Sequence, residues 1–459
     1  MQVILAGYNI DKHLIDKLGT DVSATPETIS AAYARISRSS KSVTELRSAS
    51  QKDVAKARSS NWEIVFEMGH ASVAEHAVFN FDIIGISRYL AEFIQRSRLA
   101  SFTEKSQRYV TLDGDYVMPA EIEQSEYKAD FTELMKKSFN LYNHLFIDLQ
   151  QQKEKEQEWK SKRDLEGAAK EDARYILPLC TKTQMGMTIN ARSFELLLRR
   201  LASINLQEAQ DLYQMLYKEV STVSPSIVRF IEADDFSYKH LDWKINPQAG
   251  KANYNEVTLI NCPQHADSRI LAAMLFEQKG GNFTDVLAQL SKISKEKTKE
   301  LWDSLFAGIQ PWNKMPRAFE MVDFTFELTM SASCYAQFKR HRQCTIIKAP
   351  YKSSDGFVIP PAIKDTNQIK QMTMLFKETE QLAEHLKKIN PLLYPYLLTN
   401  AHRVRVLVKM NLREIYHFVR LRSDEHAQWE IRNLSNDIKV LVQKHCHNSA
   451  KWLMGKSEF

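Results

Sequence analysis

A chain of 459 residues with 44% hydrophobic content is long enough for two or three domains with real cores and is not a disordered protein. Its net charge of +6 suits ligands that carry phosphate but is too small to argue for nucleic acid as the partner. The five cysteines are scattered with no CxxC, which reads as a reducing, cytoplasmic compartment with neither a disulfide framework nor a zinc site. The opening MQVILAGYNI lacks a basic segment and a long apolar run, so no signal peptide is expected. No stretch approaches the ~18 consecutive apolar residues of a membrane helix.

Along the chain, VILAG (3–7) reads as a short apolar strand. AEHAVFNFDI (74–83) alternates Phe79, Phe81 and Ile83 against Asn80 and Asp82, the pattern of a strand with one buried face. A helix follows and runs into QRSRLASFTEKSQRYV (95–110). The charged stretch 151–174 reads as a solvated helix face rather than an interaction tail. TINARSFELLLRR (188–200) is helical, and the helix after it carries a partial stripe of Ala209, Leu212, Met215 and Leu216. Residues 232–252 are polar, include a Pro and a Gly, and show no period, so a boundary is expected there.

Beyond that boundary the order repeats. VTLIN (257–261) opens it, FEMVDFTFEL (319–328) alternates Phe324, Phe326 and Leu328 inward, and a helix reaches FKRHRQCT (338–345). KMNLREIYHFVRLR (409–422) follows, then a clean helical stripe of Ile431, Leu434, Ile438 and Leu441. Glu75 and Glu320 are 245 residues apart, as are Phe79 and Phe324; Arg96 and Arg340 are 244 apart, and Asn190 and Asn411 are 221 apart. One alignment holds the strand, the Arg-X-Arg turn and the Asn-X-Arg helix in the same order, so the chain is read as an α+β tandem duplication. The first copy is 1–235, a linker 236–252, the second copy 253–459.

Three clusters carry candidate chemistry. Arg340-His341-Arg342 offers paired donors suited to pyrophosphate, although the same tripeptide also makes an ordinary basic turn. Glu104, Ser106 and Arg108 put a carboxylate, a hydroxyl and a guanidinium close together, as a nucleotide needs and as a solvated loop also shows. His70, Ser72, Glu75 and His76 do not have zinc spacing and read as a polar ligand-facing loop. Cys344 has no matching cysteine in the first half and reads as a buried structural thiol.

Together these residues resemble the flavin-dependent thymidylate synthases, the ThyX family, whose signature is similar to RHRxxSxNExSxRY. The first copy has RSRLASFTEKSQRY (96–109), with Ser97 where the family has His and Thr103 where it has Asn. It also resembles the family in SAAYARIS (30–37), GHASVAEHAVFNFDIIGISR (69–88), ARYILP (173–178) and NARS (190–193). The second copy keeps RHR at 340–342 and NLREIYHFVRLRSDEHAQWEIR (411–432). It has KAPYKS (348–353) where ExSxRY belongs, with Lys348, Pro350 and Lys352 in place of Glu, Ser and Arg.

The resemblance implies two tandem ThyX-like domains, each with a small sheet and long helices, with complementary losses and so a composite site. Arg340, His341, Arg342, Asn411, His417, Ser37, His70, Ser72 and Glu75 would bind FAD. Gln337, Glu104, Ser106, Arg108, Arg174 and Arg422 would bind the nucleotide, and Arg422 and Arg340 would be catalytic. It implies reductive methylation of dUMP with methylenetetrahydrofolate and NADPH, no metal, and a homodimer imitating the family tetramer. A flavoenzyme acting on another pyrimidine nucleotide and a non-catalytic nucleotide-binding protein are the alternatives.

Overall fold

A computed structural model describes residues 1–10, 25–36, 39–110, 112, 114–156, 159–234, 236, 256–364 and 366–459. The expected linker 236–252 lies, apart from Phe236, outside the described residues. The chain forms two compact units, Met1–Pro247 with Pro361–Thr399, and Gln248–Pro360 with Asn400–Phe459. Both mix helices with one small antiparallel sheet.

In the first unit the strands are β1 (Gln2–Tyr8), β2 (Val78–Ser87), β3 (Ala100–Glu104) and β4 (Lys182–Asn190), in the order β1-β2-β4-β3. Alternation in β2 sends Phe79, Phe81 and Ile83 into the core and leaves Asn80 and Asp82 exposed, because successive side chains of a strand point to opposite faces. The helices that matter here are α1 (Glu27–Ala34), α2 (Arg88–Ile94), α3 (Lys128–Glu156), α4 (Ala191–Ala202) and α5 (Gln207–Val223). Phe194 of α4 stacks on Phe81 with ring centroids 5.3 Å apart and lies 5.8 Å from Phe79. That contact fastens α4 to the apolar face of the sheet.

The second unit repeats the plan. Its strands β5 (Val257–Asn261), β6 (Asp323–Ser331), β7 (Thr345–Lys348) and β8 (Arg403–Asn411) are ordered β5-β6-β8-β7. Phe324, Phe326 and Leu328 are buried, as the alternation requires. Even the irregularity of the edge pair recurs, between Leu5 and Gly7 in one sheet and between Leu259 and Asn261 in the other. α6 (Ala332–Phe338) follows β6; α8 (Leu412–Arg422) and α9 (Trp429–His445) follow β8, and Ile431, Leu434 and Ile438 are buried.

One element departs from the simple order. Residues 361–399 of the second copy, including α7 (Ile369–Ile389), pack in the first unit. There α7 runs antiparallel to α3, with Lys137 Nζ 2.9 Å from Glu378, Gln368 donating to Asp148 at 3.1 Å, and Tyr127 stacked on His385 at 5.6 Å. Pro178 forms a bridge with Thr399, and the two are 221 residues apart, the same separation as Asn190 and Asn411.

The stretch 151–174 is not merely a solvated face. α3 ends at Glu156, and a second helix, Lys162–Ala173, buries Leu165, Ala169, Ala173 and even Lys170 and Asp172. The charge density of the segment hid that face because its buried charges are paired: Lys153 Nζ lies 3.1 Å from Asp172.

Candidate functional site

In the second unit the turn after α6 carries Arg340, His341 and Arg342. Ser331 caps α6, its hydroxyl accepting from Cys334 N–H at 3.0 Å. Asn411 caps α8, its side chain accepting from Glu414 N–H at 2.9 Å. With both helix starts held, α8 brings Arg422 back to the turn. Arg422 Nε donates to His341 Nε2 at 3.0 Å, and its Nη2 donates to Gln337 O at 3.3 Å. Gln337, Arg340, His341, Arg342 and Arg422 are therefore gathered in one place. Arg340 is exposed, and His417, exposed on α8, stands 5.8 Å from the His341 ring.

His341 itself points inward. It is 4% exposed, edge-on to Phe418, with Nδ1 3.4 Å from the Glu414 carboxylate. Burial, and then the neighbouring Arg422 and His417, hold its pKa below the ordinary value, while Glu414 pulls the other way. Burial, and then Arg340, lower that of Arg422. Cys344 is buried, with Sγ 3.8 Å from Glu414, in keeping with a structural thiol.

Beside this cluster a cleft of about 950 Å³ is lined by Trp312, Lys314, Asn411, Arg413, His417 and Lys456, among others. An indole, several cations and polar side chains are a donor set that fits an aromatic dinucleotide. Lys348, at the position matching Glu104, stacks instead on Tyr351, its Nζ 3.9 Å from the ring centroid.

In the first unit Glu104 is engaged on all sides, by Arg88 at 3.0 Å, Gln95 at 2.9 Å and Thr183 at 3.0 Å. Arg108 Nε lies 2.8 Å from Glu171, Ser106 Oγ accepts from Arg108 N–H at 3.2 Å, and Arg174 donates to the Glu171 carbonyl at 3.2 Å. Arg108 and Arg174 thus meet at Glu171, and Ser106 holds the Arg108 backbone. Burial raises the Glu171 carboxyl, opposed by Arg108 and Arg174. His70 and Ser72 are exposed at the start of a short helical turn that also carries Glu75. Ser37 lies outside the described residues. Ser97, at the His341 position, is buried 3.5 Å from Arg200.

Several residues of both copies escaped the sequence reading. Arg192 pairs with Glu75 at 2.6 Å, and Arg413 pairs with Glu320 at 2.7 Å. Glu208 accepts from Ser87 N–H and Oγ at 2.7 and 2.8 Å, and Glu430 accepts from Ser331 N–H and Oγ at 2.8 and 2.5 Å. The signal that finds them is the repeat spacing: Ser87 and Ser331 are 244 apart, Glu208 and Glu430 are 222 apart. Glu171 and Glu414 have no such signal. Glu414 matches Ser193, a different residue, in the first copy.

The family description "Thymidylate synthase complementing protein" matches residues 20–226 and again residues 258–446. A UPF0159 protein of Thermoplasma acidophilum is 26% identical over 431 residues, covering 82% of this chain and 85% of its own length. A UPF0159 protein of Chlamydia muridarum is 24% identical over 416 residues, 83% of this chain and 78% of its own. A flavin-dependent thymidylate synthase of Clostridium tetani is 30% identical over 214 residues, 46% of this chain and 84% of its own. Among the described residues no helix is long and apolar enough to cross a membrane.

Proposed function

We propose that this chain, which belongs to the thymidylate synthase complementing protein family, is a flavin-dependent thymidylate synthase that methylates dUMP at a site shared between its two copies. The observation that carries the reading is the bond from Arg422 to the RHR turn, which gathers Gln337, Arg340 and Arg422 across 85 residues of sequence. The copies are taken as two tandem ThyX-like domains, 1–235 and 253–459, with a homodimer standing in for a tetramer and a cytoplasmic location.

Bound FAD would supply the hydride, recharged by NADPH, while methylenetetrahydrofolate supplies the carbon. Arg340, Arg342, Asn411 and His417 would hold the flavin from the second copy, with Ser37, His70, Ser72 and Glu75 from the first. His341 would serve them from behind, through Arg422. Arg422, held from two sides, would stabilise negative charge on the pyrimidine edge, with Arg340 beside it. Gln337 would orient the base. Glu104, Ser106, Arg108 and Arg174 would receive the phosphate and sugar, which requires the phosphate to replace Glu171 as the partner of Arg108.

That requirement, together with Lys348 seated on Tyr351 in the second copy, favours one other reading, a flavoenzyme of the same family acting on a different pyrimidine nucleotide. Two measurements separate them. The purified protein should be yellow, with flavin in stoichiometric amount. Expression in a strain that requires thymidine should restore growth. A flavin-loaded protein that neither binds dUMP nor restores growth turns the assignment to the other nucleotide; a colourless protein that takes up no FAD removes both.

A further inference from the structure

Beneath the RHR turn lies a chain of three side chains that only one copy possesses. Arg422 Nε donates to His341 Nε2 at 3.0 Å, and a guanidinium carries no acceptor. His341 Nε2 must therefore be unprotonated, and the neutral imidazole carries its proton on Nδ1. That nitrogen makes no hydrogen bond among the described residues, and the nearest acidic group to it is the Glu414 carboxylate at 3.4 Å, an electrostatic contact. His341 and Glu414 are 4% and 7% exposed, so both are largely withdrawn from solvent. Glu414 is itself placed by the helix start, where its backbone N–H donates to the Asn411 cap.

The first copy is an internal control. At the matching positions it has Ser97 for His341, Ser193 for Glu414 and Leu201 for Arg422. All three differ together, although the caps Asn190 and Asn411 and the pairs Glu75–Arg192 and Glu320–Arg413 are kept in both. A group that served only to pack α8 on its sheet would be kept in both copies, as those are.

We infer that Glu414 is a positioning residue: through His341 it fixes the imidazole tautomer that holds Arg422, so that only the second copy's turn presents a fixed guanidinium to the nucleotide. This rests on the proposed function, since Arg422 is taken there as the group that meets the substrate. Glu414 touches no substrate in this scheme.

The test uses the full chain with ¹⁵N-labelled histidine. In the wild type His341 should report the Nδ1-protonated tautomer, and this readout does not depend on any ligand. In Glu414→Ala that signal should move to exchange between tautomers, and dUMP binding should weaken by about tenfold or more, as loss of a bond to a charged group does. Glu414→Gln, whose amide oxygen still faces Nδ1, should recover most of the affinity. If Glu414→Ala does not fold, the pair His341→Ser with Glu414→Ser installs the residues that the first copy carries and should fold. That pair should bind dUMP as weakly as Arg422→Ala. A wild-type His341 protonated on Nε2, or dUMP affinity unchanged in a folded Glu414 variant, overturns the inference. A wild type that binds no dUMP while His341 shows the expected tautomer instead overturns the substrate, leaving the positioning of Arg422 intact.

Discussion

Glu208 offers the sharpest stability test. It is a carboxyl 7% exposed on α5, accepting from Ser87 N–H at 2.7 Å, from Ser87 Oγ at 2.8 Å and from the Tyr396 hydroxyl. Ser87 caps α2, and Tyr396 belongs to the segment 361–399, so one side chain ties a strand end, a helix start and that segment together. Glu208→Ala removes the acceptor and strands three buried donors. At ~1.5 kcal/mol net for each bond to a carboxyl, the loss is about 4.5 kcal/mol. For a domain of this size that is a fall of about 9–18 °C in the melting temperature of the first unit. Glu208→Gln should recover only part, because its amide NH₂ points a donor at groups that already donate. The assay is urea unfolding with hydrogen exchange read separately on β2 and β6, so that the first unit is scored against the second. A loss below about 1 kcal/mol in β2 for Glu208→Ala, or an equal loss in both strands, would refute the reasoning.

Three other outcomes follow from the same contacts. Arg108→Ala and Arg422→Ala should each lower kcat/KM for dUMP by about a hundredfold, the scale for loss of one well-placed donor, and full activity in either would sink the shared site. His341 takes up its proton later in the folded chain than at the ordinary value of 6.5, so its contribution to the second unit is present above that pH and lost as pH falls through the lowered folded value. Urea midpoints of the second unit should therefore drop on acidification, and His341→Phe should flatten that drop; an identical slope in the variant would contradict it. Lys137→Ala should change stability by less than ~0.5 kcal/mol, because the Lys137–Glu378 pair is half exposed at 49% and 43%. A larger loss in a thermal melt would show that the α3–α7 contact leans on that pair.

Much of this molecule was written in local pattern. Alternation in 78–83 and 323–328 states which face of each strand is buried, because the period of a strand is two and the core is on one side. The repeat separations state the doubling, and the motif comparison states which signature residues each copy retains. None of that depends on where elements end up relative to one another. What tertiary structure alone decided are the pairings of polar side chains from distant segments. Glu208 meets Ser87 across 121 residues, Glu414 lies under His341 across 73, and Glu171 takes Arg108 across 63. A carboxylate among apolar neighbours looks in sequence like a solvated position. Only when strand register and helix caps bring a matching donor to it does it become a buried one. The placement of 361–399 in the first unit is of the same kind, since an amphipathic helix specifies that it must cover an apolar face but not which one.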